Sequence, residues 1–171
     1  MRLISEQKAI ERLRALKDDL KARIASGYEQ RAKDCLTCET QGACCLDAHF
    51  VNVRISKLDS VAIRRVLDGL EPQHRESVYE RISSTVERFG LTDEGAESYA
   101  CPLFERGTGC LAHNDAKPAP CITHACYERA EDLPPDRILA TAEQAIDSLN
   151  KQAYGMARPG LPIPLAILTR G

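Results

Sequence analysis

The sequence predicts a mainly α protein, a small helical domain of about four helices with two cysteine-rich metal-binding loops and little or no sheet. Three observations predict it. Apolar residues recur at three- and four-residue steps in four separate stretches, the period of one helix face. Glycine and proline punctuate the chain outside those stretches. All eight cysteines fall in two tight groups, Cys35, Cys38, Cys44 and Cys45 in one and Cys101, Cys110, Cys121 and Cys126 in the other.

At 171 residues the chain fits one domain, long enough to bury roughly two-thirds of the surface of its unfolded form. Within residues 1–171, the segments read as an N-terminal helix over 1–34, a cysteine cluster region over 35–130, and a C-terminal helix with an extended apolar tail over 131–171. There is no Trp and only three Phe, so the apolar interior is mostly aliphatic.

The elements follow in order. Ile10, Leu13, Leu16, Leu20 and Ile24 make a packing stripe on a helix over residues 5–33. Gly27 ends or kinks it, and Ser5 starts it without a capping box. Residues 51–55 alternate apolar and polar and read as a short extended segment, half of a small ribbon. Ser56 and Asp59 then have the spacing of an N-cap with an acidic residue three positions on. Leu58, Val61, Ala62, Val66, Leu67 and Leu70 give that second helix its buried face. Pro72 and Gly90 bracket a third helix with Val78, Ile82, Val86 and Phe89 inward.

Residues 91–130 carry few periodic apolar positions and many turn formers, among them Gly95, Pro102, Gly107, Gly109, Pro118 and Pro120. A loop this long in a compact domain needs an organiser other than a core, and metal is the candidate. Pro134 and Pro135 start a last helix with Ile138, Ala142, Ala145, Ile146, Leu149 and Ala153 on one face, and Gly155 closes it. Pro159, Pro162 and Pro164 keep the tail from being helical throughout. Its Leu161, Ile163, Leu165, Ile167 and Leu168 predict an extended segment laid against the domain, with a protein partner as the alternative occupant.

The cysteines carry the chemistry. Zinc and iron take about four sulfur or nitrogen donors, and short spacings let one turn of chain supply two of them. Cys35 and Cys38 have that spacing. A redox dithiol needs the pair at a helix start after a strand, whereas here a long helical pattern precedes it. The N-terminus lacks a basic region followed by an apolar one, and no run approaches a membrane span. A cytoplasmic location is therefore expected, where thiols persist as ligands rather than disulfides. A net charge of −2 and a pI near 6.1 leave no basic footprint for nucleic acid.

The pattern Cys35-x2-Cys38-x5-Cys44-Cys45, followed by the extended segment and a helix near Asp59, resembles the YkgJ-type cysteine cluster family of zinc- or iron-chelating proteins. Cys101-Pro102-Leu103-Phe104, Gly109-Cys110 and Lys117-Pro118-Ala119-Pro120-Cys121 are similar to that family's second half, so the resemblance spans about residues 35–126. The chain departs from the family in three added residues before Gly42, in His113 where an aromatic is usual, and in Lys117 for arginine. A similar cluster accompanies methyl transfer in flagellar lysine methylases, but no Gly-rich nucleotide-binding turn is present here to carry that activity over.

The resemblance implies metal chelation by the eight cysteines. An iron–sulfur cluster of the 4Fe-4S type or iron is favoured over zinc, since adjacent Cys44 and Cys45 suit one mononuclear ion poorly. Two four-sulfur sites, or one cluster with four further thiols, both fit the count. His113, His124 and His49 stand at ligand-compatible spacing and His74 in the third helix is the weakest candidate. Arg31, Lys33, Arg106, Lys117 and Arg129 lie near the ligands, where cations offset thiolate charge. Three functions compete: electron transfer or metal and cluster handling, a structural zinc module that recognises a protein partner, and a metalloenzyme with an open coordination position. No hydrolase or kinase motif is present.

Overall fold

The computed structural model describes residues 3–33, 39–47, 51–127, 129–156 and 158–169, with Lys33 and Cys126 described by their backbone. Among these residues the helices are α1 (Glu6–Gly27), α2 (Ala43–Leu46), α3 (Lys57–Asp68), α4 (Pro72–Phe89), α5 (Ala119–Thr123), α6 (Asp136–Tyr154) and α7 (Ile163–Leu168). The strands are β1 (Ala32–Lys33), β2 (Arg54–Ile55), β3 (Phe104–Glu105), β4 (Gly109–Cys110), β5 (Cys126–Tyr127) and β6 (Leu161–Pro162). They pair only as two-stranded antiparallel ribbons, β1 with β5, β2 with β6 and β3 with β4. The mainly helical class with little sheet is what the periodicity predicts.

The chain forms two units, each assembled from two separate stretches of sequence. One comprises residues 1–41 and 117–157, the other residues 42–116 and 158–171.

In the first unit, Ser5 caps α1 by accepting a hydrogen bond from the Lys8 amide, which satisfies one of the free donors of the first turn. The helix ends at Gly27 rather than near residue 33, because Tyr28 leaves helical geometry with φ of −136° while its amide still reaches the Ile24 carbonyl. A 3-10 turn at Glu29–Arg31 then leads into β1. The buried stripe is Ala9, Leu13, Lys17, Leu20 and Ile24, whereas Ile10 and Leu16 are half-buried. Helix α6 packs against α1, and buries Ile138, Ala142, Ile146 and Leu149. Gly155, with φ of 79°, terminates it in the left-handed region that favours glycine. The Ile4 amide bonds the Gln152 carbonyl, and the Tyr154 hydroxyl bonds Glu6. Short α5 lies against both long helices and inserts Ile122.

In the second unit, Ser56 and Asp59 form a full capping box at α3. The Ser56 hydroxyl takes the Asp59 amide, and the Asp59 carboxylate takes the Ser56 amide; two first-turn donors are thereby satisfied reciprocally. Leu58, Ala62, Ile63 and Leu67 of α3 and Val78 and Ile82 of α4 enter the core. The predicted extended segment at 51–55 contains β2, and its partner is the C-terminal tail.

That tail corrects one expectation. It is extended only at β6 and then turns into α7, packed on α3 and α4 with Ile163, Ala166 and Ile167 buried. Pro164 does not prevent this, because it occupies the first turn, where an amide proton has no intrahelical partner. Arg64 of α3 donates to the carbonyls of Ala166 and Ile167, both at 3.2 Å, and so satisfies acceptors at the end of α7.

Residues 91–130 are a second correction. Tyr99, Leu103, Phe104, Ala112, Ala116, Ala119 and Ile122 are all buried, so ordinary apolar packing organises much of this stretch. The apolar positions have no helical or strand period because the segment is a chain of turns around the β3–β4 hairpin and α5.

Candidate metal centre

The boundaries of the two units fall inside both cysteine groups. One lies between Gln41 and Gly42, ahead of Cys44 and Cys45; the other lies between Ala116 and Lys117, after Cys110 and before Cys121. Cys44, Cys45, Cys101 and Cys110 therefore belong to the second unit, while Cys121 on α5 and Cys126 on β5 belong to the first. Cys126 is paired with Lys33 across the β1–β5 ribbon. Cys35, Cys38 and His49 lie outside the described residues.

Three local devices position the four cysteines of the second unit. Gly42, at φ of 81°, begins α2, and a side chain there would run into the Phe104 ring. That close approach seats α2, with Cys44 and Cys45, on the strand of the β3–β4 hairpin. The Cys101 amide donates to the Cys45 carbonyl at 2.6 Å, a backbone link between the two groups. Phe104 faces Cys110 across the hairpin, and the Leu111 amide closes it on the Leu103 carbonyl at 2.9 Å.

The thiols are neighbours as well as the backbones. A hydrogen bond to Cys44, burial, and the nearby thiols of Cys44, Cys101 and Cys110 together push the Cys45 thiol far above its ordinary value. The thiols of adjacent Cys44 and Cys45 are hydrogen-bonded to each other. None of Cys44, Cys45, Cys101, Cys110 or Cys121 is in a disulfide. Cys101 is buried and the other four are partly exposed.

A second layer holds the hairpin to α4. Arg81 donates through Nε to the Pro102 carbonyl and through its terminal nitrogen to Glu105, both at 2.7 Å. His74 Nε2 meets the same Glu105 oxygen at 2.9 Å. Burial works to raise the Glu105 pKa, but the hydrogen bonds from His74 and Arg81 outweigh it and hold the carboxyl below its ordinary range. The sequence reading left Arg81 and Glu105 unassigned and ranked His74 last among possible ligands. His74 and Arg81 stand two turns apart on α4, a spacing that puts both on one face, and this was the available signal.

The remaining candidates are elsewhere. His113 and His124 are exposed. Arg129 forms hydrogen bonds with Asp132, at 3.0 and 3.3 Å, and Arg31 stands 3.8 Å from the same carboxylate. Arg106 is exposed at the hairpin turn.

The donor set of the second unit fits a thiophilic cation in kind: four sulfurs, among which a lone thiolate is disfavoured without positive charge. Among the described residues, no three His, Cys, Asp or Glu side chains close a metal-holding shell as they are placed. Comparison with protein families, with characterised proteins and with solved structures gives no match, so the likeness to the YkgJ-type cluster rests on the sequence pattern of the cysteines and the residues around them. Among the described residues, no helix is long and apolar enough to cross a membrane.

Proposed function

We propose that this protein is a thiolate metal-binding protein that holds an iron–sulfur cluster or iron, with zinc as the alternative, and serves electron transfer or metal and cluster handling. The observation that supports it is the neighbourhood of Cys44, Cys45, Cys101 and Cys110, drawn from both cysteine groups into one unit. The Cys45 thiol resists ionising because of its hydrogen bond with Cys44, its burial, and the repulsion a thiolate there would meet from Cys44, Cys101 and Cys110. A bound cation reverses that balance: thiols deprotonate onto it and release their protons. Thiol crowding without a cation or a disulfide brings no folding benefit of its own, whereas a structural metal contributes an apparent 10–16 kcal/mol, roughly the whole stability of a domain.

The test is metal and acid-labile sulfide content with a visible spectrum, on protein purified without oxygen. Iron with matching sulfide and a broad charge-transfer band supports cluster binding. Colourless zinc moves the assignment to a structural module. Absence of iron, zinc and cobalt binding after reconstitution overturns the proposal.

A further inference from the structure

We propose that Cys45 and Cys101 are the two halves of a reversible disulfide, formed by exchange with a small-molecule disulfide of the glutathione type, that locks α2 onto the segment leading into the β3–β4 hairpin. It is a site of oxidative modification that does not depend on the metal reading; while formed, it withdraws two thiols from any metal.

The backbone sets the distance. The Cys101 amide donates to the Cys45 carbonyl at 2.6 Å. The covalent bonds on either side of that contact have fixed lengths, so the two Cα atoms stand no more than about 6.8 Å apart. Disulfides span Cα separations of about 4.4–6.8 Å, and the pair falls within reach of that range with the backbone where it is. The side chains agree with this, since Cys101 is among the groups whose charge acts on the Cys45 thiol. Neither residue is in a disulfide. Adjacent Cys44 and Cys45 are a poorer pair despite their thiol hydrogen bond. Consecutive Cα atoms lie about 3.8 Å apart, short of the same range, and both residues are inside α2, where neighbours i and i+1 do not face each other.

The surroundings hold the pair in place. Gly42 seats α2 against the Phe104 ring, and Arg81 holds the Pro102 carbonyl, one residue past Cys101, at 2.7 Å. Cys101 is buried whereas Cys45 is partly exposed, so a small disulfide reaches Cys45 first and Cys101 stands behind it as the resolving thiol.

The exchange balances with the small disulfide as oxidant. The Cys45 thiol gives up its proton, and its sulfur attacks one sulfur of the small disulfide. That S–S bond breaks, one small thiolate leaves and takes up a proton, and a mixed disulfide remains on Cys45. Cys101, deprotonated in turn, attacks the Cys45 sulfur and expels the second small thiol. The two cysteines lose two electrons and two protons, and the small disulfide gains both and departs as two thiols. The Cys44 hydrogen bond and burial keep the proton on Cys45 and slow the first attack, so the reaction is read at equilibrium. The bond closes a loop with 55 residues between its ends, α3 and α4 among them. A cross-link of that span restricts the unfolded chain more than the folded one.

The full chain, reduced and then equilibrated without oxygen in excess glutathione disulfide, with and without EDTA, is alkylated, digested with trypsin and mapped by mass spectrometry. The expected product joins peptide 34–54, which holds Cys35, Cys38, Cys44 and Cys45, to peptide 89–106, which holds Cys101. Fragment ions should place the link on Cys45, and dithiothreitol should reverse it. Cys44→Ser is expected to keep the link and Cys45→Ser to lose it, and the urea midpoint of the wild type should rise on oxidation. A link that forms only with EDTA present supports the proposal and shows a metal competing for the same thiols. Peptide 89–106 joined instead to the peptide that carries Cys110, or a link placed on Cys35, Cys38 or Cys44, overturns the pairing. So does a pair that stays reduced, or capped by glutathione, in both arms. Because fragment ions of the wild type place the link, the result stands even where a variant fails to fold.

Discussion

The amide of Cys101 donates to the carbonyl of Cys45 at 2.6 Å, so the backbone itself joins the two cysteine groups before any metal is considered. A metal bound by thiols on both sides of this link tightens a contact that already exists. Zinc at about 100 times its dissociation constant should add about 2.7 kcal/mol to stability, which for a chain of this length corresponds to about 5–10 °C in melting temperature. A chelator should reverse the shift. Differential scanning fluorimetry on the wild type and on Cys101→Ser checks this, and an undiminished shift in the variant would remove Cys101 from the ligand set.

Gly42 should be intolerant of a side chain for two separable reasons. Its φ of 81° disfavours any other residue, at about 1–2 kcal/mol, and its missing Cβ is replaced by the Phe104 ring. Gly42→Ala is expected to cost about 2 kcal/mol or more in urea unfolding and to weaken metal affinity, since α2 carries Cys44 and Cys45. Adding Phe104→Leu should recover the steric part and leave the conformational part. Equal losses in the single and double variants would mean that the ring contact contributes nothing.

Glu105 makes stability depend on acid. Its folded pKa is lowered, with the bonds from His74 and Arg81 overcoming the opposing effect of burial. A carboxyl lowered on folding adds stability that is fully present above its unfolded pKa, about 4.3, and is lost as pH falls through the folded value. On metal-free protein, Glu105→Gln should cost about 2 kcal/mol at neutral pH, the scale of charged hydrogen bonds. The gap between wild type and variant should then shrink below about pH 4. Urea midpoints measured across that range decide it; a gap independent of pH would show that the charge on Glu105 is not what matters.

How far the chain discloses this arrangement depends on the range of the interaction. The caps and stops that bound α3, α4 and α6 are local chemistry: Ser56 with Asp59, Pro72 with Gly90, and Pro135 with Gly155. All were legible in the sequence. The end of α1 was not, because Gly27 permits either continuation or exit and the pairing of Lys33 with Cys126 lies far along the chain. The same holds for the tail, where the prolines read as breakers until Pro164 is seen to sit in a first turn. The two cysteine groups were plain, but their division between units depends on the seating of α2 on Phe104 and the Cys45–Cys101 link. No period or spacing encodes contacts of that separation.

Tyr99 ties the tail to the rest of its unit and supplies a last prediction. Its side chain is fully buried, and its hydroxyl donates to the Val53 carbonyl at 2.8 Å while accepting the Ile163 amide at 3.0 Å. Tyr99→Phe keeps the ring and removes both bonds. The Ile163 amide also reaches the Val53 carbonyl directly at 3.3 Å, so the two orphaned groups can satisfy each other. The expected cost is therefore at the low end for a buried hydrogen bond, about 1 kcal/mol, against about 3–5 kcal/mol for Tyr99→Ala, which also empties the ring's volume. Hydrogen exchange should localise the Tyr99→Phe effect to β6 and the first turn of α7. A loss near that of the alanine variant would show that the hydroxyl, not the ring, holds the tail in place.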